Sequence, residues 1–553
     1  MSEQIFLTAA VLAIAAGAGI HSFIRKKRLR KQALREKYGK IPPIGAWDEK
    51  EKVKGYYEWM KEREQEDWVD DITWNDLSMN QVFQRINSCD TSAGEEILYW
   101  RLRKNSMTPE ECVSFEEKIR TFSENEKERE DVERLLWKIG KSPSSYYIPA
   151  YMDAVEEYRI GKQWVFRGLQ IILAACLVFL IITQDSRGAF AVLGAAAVNL
   201  LLYTVLRMKY EIEMGMAGTA VSLLERGRDI AGRSEIRRLF PELKDQISYF
   251  RDVVRGSRFL QIHKVGMGTG DLSALILDYT LGITLCRITT YNKMIDRMSR
   301  KSEEYMAVYR QIGELDAAIC IASFRESLPL YCTPEFAEDR RVFMEGVCHP
   351  LIEEPVGNTL DLRRSCLITG SNASGKSTFI KAVAVNAILA QGIYTCEAKR
   401  FVMPRARVIT SMAVKDDLMA GESYFIREIR YLRRILDGLS DERTTICAID
   451  EILRGTNTGE RIRASRAILE YLRDRNCIAL VATHDRELTE LLEADYDNYH
   501  FSEEIGEDDI CFTYQILPGP SVSHNAIKLL EFAGFPEEII EASGEDVPGK
   551  TAD

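Results

Sequence analysis

A glycine-rich loop followed by lysine and serine carries the most specific chemistry in this sequence. The loop runs from Gly370 to Thr378 and reads Gly-Ser-Asn-Ala-Ser-Gly-Lys-Ser-Thr. It follows the apolar run 366–369 and precedes the helix-like run 379–390, which is the strand–loop–helix context that such a loop needs. Glycine lets the backbone wrap closely around phosphates, and the N–H groups at the helix start face their negative charge. The motif therefore predicts a nucleoside-triphosphate site.

Two side chains of this loop have separate roles in the predicted site. Lys376 is placed to reach the β- and γ-phosphates, and the hydroxyl of Ser377 is placed to bind Mg²⁺. Six residues are the predicted nucleotide contacts: Gly370, Asn372, Gly375, Lys376, Ser377 and Thr378.

A second motif supplies two carboxylates. The mostly apolar run 444–449 ends at Asp450 and Glu451, which is typical of a buried strand whose last residues reach a site. We expect Asp450 to hold Mg²⁺ together with Ser377, and Glu451 to orient or deprotonate the attacking water. An acidic pair that is merely solvated is the alternative interpretation.

A histidine follows the third apolar run. Residues 478–483 read as a strand, and His484 comes directly after it. A lone histidine is more often structural, but the carboxyl edge of such a sheet is where ligands bind. A histidine at this position can contact the γ-phosphate and sense hydrolysis, which is the role we expect for His484.

An amphipathic helix lies between the two motifs, at 425–436. Ser423 is its expected N-cap. The expected apolar stripe consists of Ile426, Ile429, Leu432 and Leu436.

The order of the motifs carries a family resemblance. The residues concerned are His349-Pro350-Leu351, the loop with Asn372, Asp416-Asp417-Leu418, Gly421-x-Ser423, Asp450-Glu451-Ile452, Arg454-Gly455-Thr456, Thr483-His484, Tyr514-x4-Gly519 and Ala533-Gly534-Phe535-Pro536. Together they resemble the DNA mismatch repair MutS family over roughly residues 340–543. Two departures, at Ser371–Gly375 and at Leu453, indicate a divergent branch.

The resemblance implies an α/β ABC-type P-loop ATPase domain that uses ATP and Mg²⁺ and works as a homodimer. It assigns catalytic roles to Glu451, His484 and Ser423, the last reaching across to the nucleotide of the partner subunit. Tyr514 is either a residue that stacks on the base or a core tyrosine. The residues indicate no small-molecule substrate other than ATP.

Three apolar segments predict a membrane protein. Residues 5–24 are long enough to cross a hydrocarbon core of about 30 Å, and the basic block 25–31 follows at once. The positive-inside rule then puts the N-terminus outside and the ATPase domain in the cytoplasm. Residues 169–183 and 188–206 read as a helical hairpin with both ends cytoplasmic. The alternatives are a cleaved signal peptide for the first segment and a buried soluble hairpin for the other two.

Composition limits the other classes. A chain of 553 residues accommodates several domains, and its net charge of −11 gives no bulk attraction to nucleic acid. The 12 cysteines lack metal-like spacing, and several sit in apolar runs, which favours buried thiols in a reducing compartment.

The middle of the chain reads as mostly helical. The segment Thr91-x-x-Gly94-x3-Leu98-x3-Leu102 resembles the start of the MutS core or lever domain. Residues 71–77 are predicted as a strand or turn, and residues 293–322 as one long helix.

These observations predict an all-α MutS-like core and lever domain, interrupted by transmembrane helices, before the C-terminal ATPase domain. The predicted division is 1–24 transmembrane helix, 25–69 basic linker, 70–164 core, 165–207 transmembrane hairpin, 208–335 lever and core helices, 336–543 ATPase domain and 544–553 flexible tail. No room is left before residue 70 for a mismatch-reading domain.

Two functions fit this division. The first is a multi-pass ATPase of the cell membrane that binds DNA (duplex, mismatched or branched) in repair or recombination. The alternative is an ATP-driven mechanical or regulatory membrane protein that acts on a protein or lipid partner without DNA.

Overall fold

The computed structural model describes most of the chain. The described residues are 32–33, 35–43, 52–105, 107–256, 279–371, 374–412, 424–505, 510–521, 535–536 and 538–539. The apolar segment 5–24, the basic block 25–31, Asn372, Ser423 and the tail 544–553 lie outside the described residues.

Helices dominate the part of the chain before residue 330, which confirms the predicted helical N-terminal part. They are α1 Gly55–Lys61, α2 Asp71–Asp76, α3 Met79–Ile86, α4 Ser92–Arg103, α5 Pro109–Glu124, α6 Glu126–Ile139, α7 Ile148–Asp153, α8 Gln163–Thr183, α9 Ser186–Lys209, α10 Glu211–Ala231, α11 Ser234–Leu239, α12 Leu243–Ser248, α13 Arg251–Gly256, α14 Cys286–Ser299 and α15 Ser302–Glu326.

Two local predictions were wrong. The strand or turn predicted at 71–77 is the helix α2, because the Asp70 side chain accepts the N–H of Thr73 at 2.8 Å and caps it. The long helix predicted at 293–322 is two helices, α14 and α15. The second begins at Ser302 with two acids in its first turn, a favourable helix start.

The chain forms two compact units. Unit 1 comprises residues 1–65, 86–100 and 114–326, and unit 2 comprises 66–85, 101–113 and 327–553. Two short early segments, predicted within the helical core, therefore belong to the same compact unit as the ATPase-like part.

A buried carboxylate fixes the start of α4 in unit 1. Asp316 of α15 accepts the Thr91 N–H at 2.8 Å and the Thr91 hydroxyl at 2.6 Å, while Thr91 Oγ1 accepts the Gly94 N–H at 2.9 Å. A Cβ atom on Gly94 would lie 2.3 Å from Asp316 Oδ2. The Thr-x-x-Gly pattern is therefore explained by one cap and one close helix contact. Burial raises the pKa of Asp316 to about 6.

Helices α8 and α9 form the predicted apolar hairpin. Their mean hydropathies are 2.5 and 2.1, and only 11% of the most apolar stretch of each helix is buried. Large side chains such as Ile182 and Phe190 are exposed by 75% and 74%. Length and composition permit both helices to cross a membrane, and the crossing itself stays a prediction.

Polar side chains tie this hairpin to the start of α14. Gln170 donates to the Thr284 carbonyl at 2.8 Å, and Asn199 donates to the Ile283 carbonyl at 2.9 Å. Both carbonyls lie where a short helical turn ends before α14, so they lack helical partners. The side-chain amides of Gln170 and Asn199 thus donate to backbone carbonyls that would otherwise lack a hydrogen-bond partner.

Unit 2 contains two sheets and four further helices among its described residues. The strands are β1 Glu335–Ala337, β2 Val342–Val347, β3 Asn358–Leu362, β4 Cys366–Thr369, β5 Arg400–Pro404, β6 Ala406–Ser411, β7 Thr444–Asp450, β8 Cys477–Ala482, β9 Asp497–Ile505 and β10 Ile510–Pro518. The helices are α16 Lys376–Ile393, α17 Tyr424–Asp437, α18 Thr458–Arg473 and α19 Arg486–Leu491.

The larger sheet has the order β10-β9-β4-β8-β7-β6, and all pairs except β10 with β9 are parallel. Its central strands β4 and β8 are buried throughout, as expected for a parallel sheet covered on both faces. The smaller sheet has the order β1-β5-β2-β3. The predicted C-terminal α/β domain is confirmed.

The edge strand β6 is covered by α2. Asp76 accepts the Thr410 hydroxyl at 2.7 Å and the Met412 N–H at 3.1 Å. The Thr410 N–H donates to Thr73 Oγ1 at 3.3 Å, so α2 occupies part of an edge that would otherwise be open to another strand.

We expect Gly94→Ala to lower the free energy of unfolding by about 2 kcal/mol or more, because the added methyl group overlaps the Asp316 carboxylate. Gly215→Ala is the matched control, since its nearest neighbour would be Ser144 Oγ at 4.0 Å. Urea denaturation of both variants measures the difference. Equal stability of the two variants would contradict the proposed close contact.

Candidate nucleotide-binding site

The glycine-rich loop leaves the carboxyl end of β4 and requires glycine at two positions. Gly370 has φ +142°, and a Cβ atom there would lie 2.7 Å from the Phe501 carbonyl oxygen. Gly375 has φ +108° and directly precedes α16. Both values favour glycine, so the loop can turn sharply and present its backbone to a ligand.

The lysine of the loop is held by the loop itself. Lys376 is only 5% exposed, and its ammonium group donates to the carbonyls of Gly370 at 2.6 Å and Ser371 at 2.7 Å. Ser377 is half-buried and Thr378 exposed in the first turn of α16. The ammonium group and the N–H groups at the start of α16 therefore place positive charge beside the loop.

The carboxylates and the histidine reach the same edge of the sheet. Asp450 is the last residue of β7, and Glu451 follows it. Glu451 Oε1 lies 2.9 Å from His484 Nε2, and Glu451 Oε2 lies 2.7 Å from Arg454 Nε. The hydrogen bond with His484, helped by the charges of Arg454 and Lys376, lowers the pKa of Glu451. Glu451 is thus ionised at neutral pH.

The turn that carries Glu451 is strained. Glu451 and Leu453 have φ values of +59° and +57°, although neither is glycine. Such conformations cost about 1–3 kcal/mol each and persist only where the surroundings hold them. The Glu451 N–H donates to the Ala482 carbonyl at 3.0 Å, and the Arg454 N–H donates to Glu428 Oε1 at 2.9 Å.

The turn after β8 is also fixed. The Asp485 N–H donates to Thr483 Oγ1 at 3.0 Å, and Arg461 of α18 holds both carboxylate oxygens of Asp485, one of them at 2.8 Å. His484 lies between these two anchored residues. The fixed backbone of this turn and the contact of its Nε2 atom with Glu451 therefore both position the His484 ring.

Tyr514 lies beside the glycine-rich loop. Its side chain is 46% exposed, and its Cδ1 atom would lie 3.2 Å from a Cβ atom on Gly375. The pairing of β10 with β9 shifts its register between Phe512 and Ile516. Asn358 stabilises this irregularity by donating to the Tyr514 carbonyl at 3.0 Å and accepting the Ile516 N–H at 2.8 Å. This position favours the interpretation of Tyr514 as a site residue over that of a core tyrosine.

Helix α17 has its buried face shifted from the predicted stripe. Leu432 and Ile435 are buried, whereas Ile426 and Ile429 are 45% and 40% exposed. Leu432 and Ile435 belong to the apolar cluster of α17, α18 and β7, and the half-buried Phe425 and Leu436 pack against it.

His349 lies between β2 and β3 in the sequence, and its side chain is buried. Its side chain is 8% exposed, and its Nδ1 atom accepts the Leu351 N–H at 3.3 Å. Burial, helped by the nearby charge of Lys381, lowers the pKa of His349 to about 4. The folded chain thus holds this ring neutral.

A strand, a glycine-rich loop with a buried lysine, and a helix, beside acids at the ends of neighbouring parallel strands, define a P-loop nucleotide-binding domain. The comparison with known proteins agrees. Residues 366–548 match the family model MutS domain V.

Several curated proteins are similar to this chain. The DNA mismatch repair protein MutS of Natronomonas pharaonis is 32% identical over 272 residues, which is 47% of this chain and 31% of that protein. The protein of the same name from Thermus thermophilus is 31% identical over 253 residues, 44% of this chain and 30% of that protein. The matches span about a third of the relatives' length. The predicted resemblance to the MutS family is confirmed over this part.

The structure brings most of the predicted site residues to one edge, and it adds others. Gly370, Gly375 and Lys376 form the loop, and Glu451 contacts His484 directly. The sequence analysis missed Glu428, Asn358 and Arg461. Their partners are distant in sequence, so no local pattern marked them.

His349 makes folding depend on pH. Its pKa is about 4 in the folded chain and 6.5 in its ordinary environment, so protonation between these values favours unfolding. The contribution is at most about 3 kcal/mol, lost as pH falls from 6.5 to 4. We expect His349→Gln to reduce the loss of unfolding free energy between pH 7 and pH 4, as measured by urea denaturation. Identical pH slopes in both proteins would contradict this assignment.

Proposed function

We propose that this chain is an ATPase that binds ATP in the glycine-rich loop and hydrolyses it with Glu451 as the base. One observation carries the proposal. The loop with its buried lysine, the acids after β7 and the histidine after β8 converge on one edge of a parallel sheet, and Glu451 contacts His484 at 2.9 Å. Ligands of such sheets bind outside the carboxyl ends of the strands.

Each residue has a task in this proposal. Lys376 exchanges its loop carbonyls for the β- and γ-phosphates, and Tyr514 contacts the base. Ser377 and Asp450 would hold Mg²⁺, and the ion would supply charge that neutralises the phosphates. Glu451, kept ionised by its neighbours, accepts a proton from the attacking water. His484 then stays near the γ-phosphate and orients Glu451.

The proposed working unit is a homodimer. Ser423 lies immediately before α17, and we assign it the contact with the nucleotide of the partner subunit. The exposed Ile426 and Ile429 in the first half of α17 are consistent with a surface that a second copy covers.

We further propose that the hairpin of α8 and α9 anchors the protein in the cell membrane, with the ATPase domain in the cytoplasm. Apolar side chains cover its exposed surface, which water does not favour. Arg167 lies near one end of the hairpin, and Arg207 and Lys209 near the other end, as expected for cytoplasmic ends.

DNA is a candidate ligand because the relatives are named DNA mismatch repair proteins. The basic cluster of the helical unit, formed by Arg226, Arg228, Arg233, Arg237 and Arg238, does not support it. Arg233 pairs with Glu128 at 2.6 Å and with Asp131 at 2.9 Å, and Arg238 pairs with Glu117 and Glu235. These pairs neutralise charge that phosphates would need. A protein or lipid partner without DNA is therefore the second candidate function.

We expect Glu451→Gln to bind ATP with a Kd within about threefold of wild type and to lose about 100-fold or more in kcat, because a general base contributes that much. Glu470→Gln, an exposed acid on α18 paired with Arg466, is the matched control. Phosphate release by the full-length protein in nanodiscs measures kcat. Ordinary turnover by Glu451→Gln would remove Glu451 from the role of base.

Membrane topology is testable at the tip of the hairpin. We expect a cysteine in place of exposed Ser186 to react with an impermeant maleimide in intact cells, because the short turn before α9 lies outside. Glu493→Cys, exposed on unit 2, should react only after lysis. Labelling of Ser186→Cys only after lysis would contradict a hairpin that crosses the membrane.

The two candidate functions differ in DNA binding. The experiment uses full-length protein in nanodiscs with perfect, mismatched and branched duplexes, with and without ATP, across a salt series. Binding that responds to ATP and survives about 150 mM salt supports a membrane-tethered DNA-handling ATPase. Binding that disappears there, with hydrolysis intact, supports the protein or lipid partner.

A further inference from the structure

A buried carboxylate lies under the strained turn that carries Glu451. Glu428 of α17 is 4% exposed, and its Oε1 atom accepts the Arg454 N–H at 2.9 Å. Burial raises the pKa of Glu428, and the backbone N–H groups of Arg454, Gly455 and Leu453 oppose that rise. One hydrogen bond, from the Arg454 N–H, therefore joins this turn to the Glu428 side chain, whereas the Oε2 atom is buried and accepts no hydrogen bond from the described residues.

This contact continues to the proposed base. The Arg454 backbone is held by Glu428, and the Arg454 guanidinium contacts Glu451 Oε2 at 2.7 Å. Glu451 Oε1 in turn lies 2.9 Å from His484. The position of both Glu451 oxygens thus depends on a turn whose Arg454 amide donates to a residue of α17.

The strain in the turn makes such an acceptor necessary. Glu451 and Leu453 both have left-handed φ values, and a turn of this kind relaxes unless its neighbours hold it. Ile452 and Leu453 belong to the same apolar cluster as Leu432 of α17, which supplies part of the hold. Packing alone leaves the Arg454 amide without an acceptor, and a buried amide without an acceptor is costly. The Glu428 carboxylate supplies that acceptor.

We propose that Glu428 is a positioning residue for Glu451: it fixes the turn 451–456 so that the base keeps the geometry needed for hydrolysis. The inference rests on the proposed ATPase function and concerns a residue that acts on the base through the backbone of the turn. It also makes α17 the element that sets the geometry of the base, because Glu428 and Leu432 lie one turn apart on it.

The test compares Glu428→Ala with Asp437→Ala, an exposed acid of the same helix paired with Arg433. In full-length protein we expect Glu428→Ala to lower kcat tenfold or more while the Kd for ATP changes less than about threefold, because misplacement of a base affects chemistry and not binding. Hydrogen exchange at the amides of 453–455 should become faster in Glu428→Ala and stay unchanged in Asp437→Ala. Glu428→Gln keeps one acceptor oxygen and should recover about half of the logarithmic loss.

Two outcomes overturn the inference in distinguishable ways. Wild-type turnover and exchange in Glu428→Ala would remove Glu428 alone and leave the ATPase proposal intact. A wild-type protein that binds ATP without hydrolysing it would overturn the proposed function and the inference with it. If Glu428→Ala does not fold, Glu428→Gln is compared with Asp437→Asn. Faster exchange at 453–455 with a lower kcat in Glu428→Gln then supports the inference, and wild-type values overturn it.

Discussion

The parallel arrangement of β4, β8 and β7 is the constraint on which the site depends. Parallel neighbours end at the same edge, so the residues that follow the three strands meet there whatever their distance in the sequence. Both faces of these strands are covered by the surrounding apolar core. The apolar core fixes the register of the three strands. The positions of the loop, the acids and the histidine that follow these strands are therefore fixed as well.

At the carboxyl edge of the sheet, the charged side chains of Glu451 and Lys376 each have partners of opposite or complementary polarity. Glu451 contacts the His484 ring with one oxygen and the Arg454 guanidinium with the other, and Lys376 has carbonyls on its ammonium group. Each charge is thus satisfied before a nucleotide arrives. In the proposed reaction, phosphate oxygens replace the carbonyls around Lys376, and the bonds to Glu451 keep it ionised for the attacking water.

The helical unit shows the same principle with buried polar groups. Asp316 is tolerated in a helix contact because Thr91 and two backbone amides donate to it. Gln170 and Asn199 are tolerated in an apolar hairpin because two backbone carbonyls need donors. Asp316 thus stabilises the start of α4, and Gln170 and Asn199 stabilise the interruption of the helix before α14.

The sequence by itself determined the strand that ends at Asp450, a strand predicted at 478–483 and found at Cys477–Ala482, the glycine-rich loop and the helical character of the N-terminal part, because these depend on short periodic patterns and on glycine. The predictions from the sequence were wrong at 71–77, where the Asp70 cap starts a helix, and at 293–322, where a second helix begins at Ser302. Only the tertiary structure decided that Glu451 lies against His484, that Asn358 supports Tyr514 and that Glu428 lies under the Glu451 turn. Those pairs join residues separated by 26 to 156 positions, and such contacts form only when the sheet and its helices are assembled.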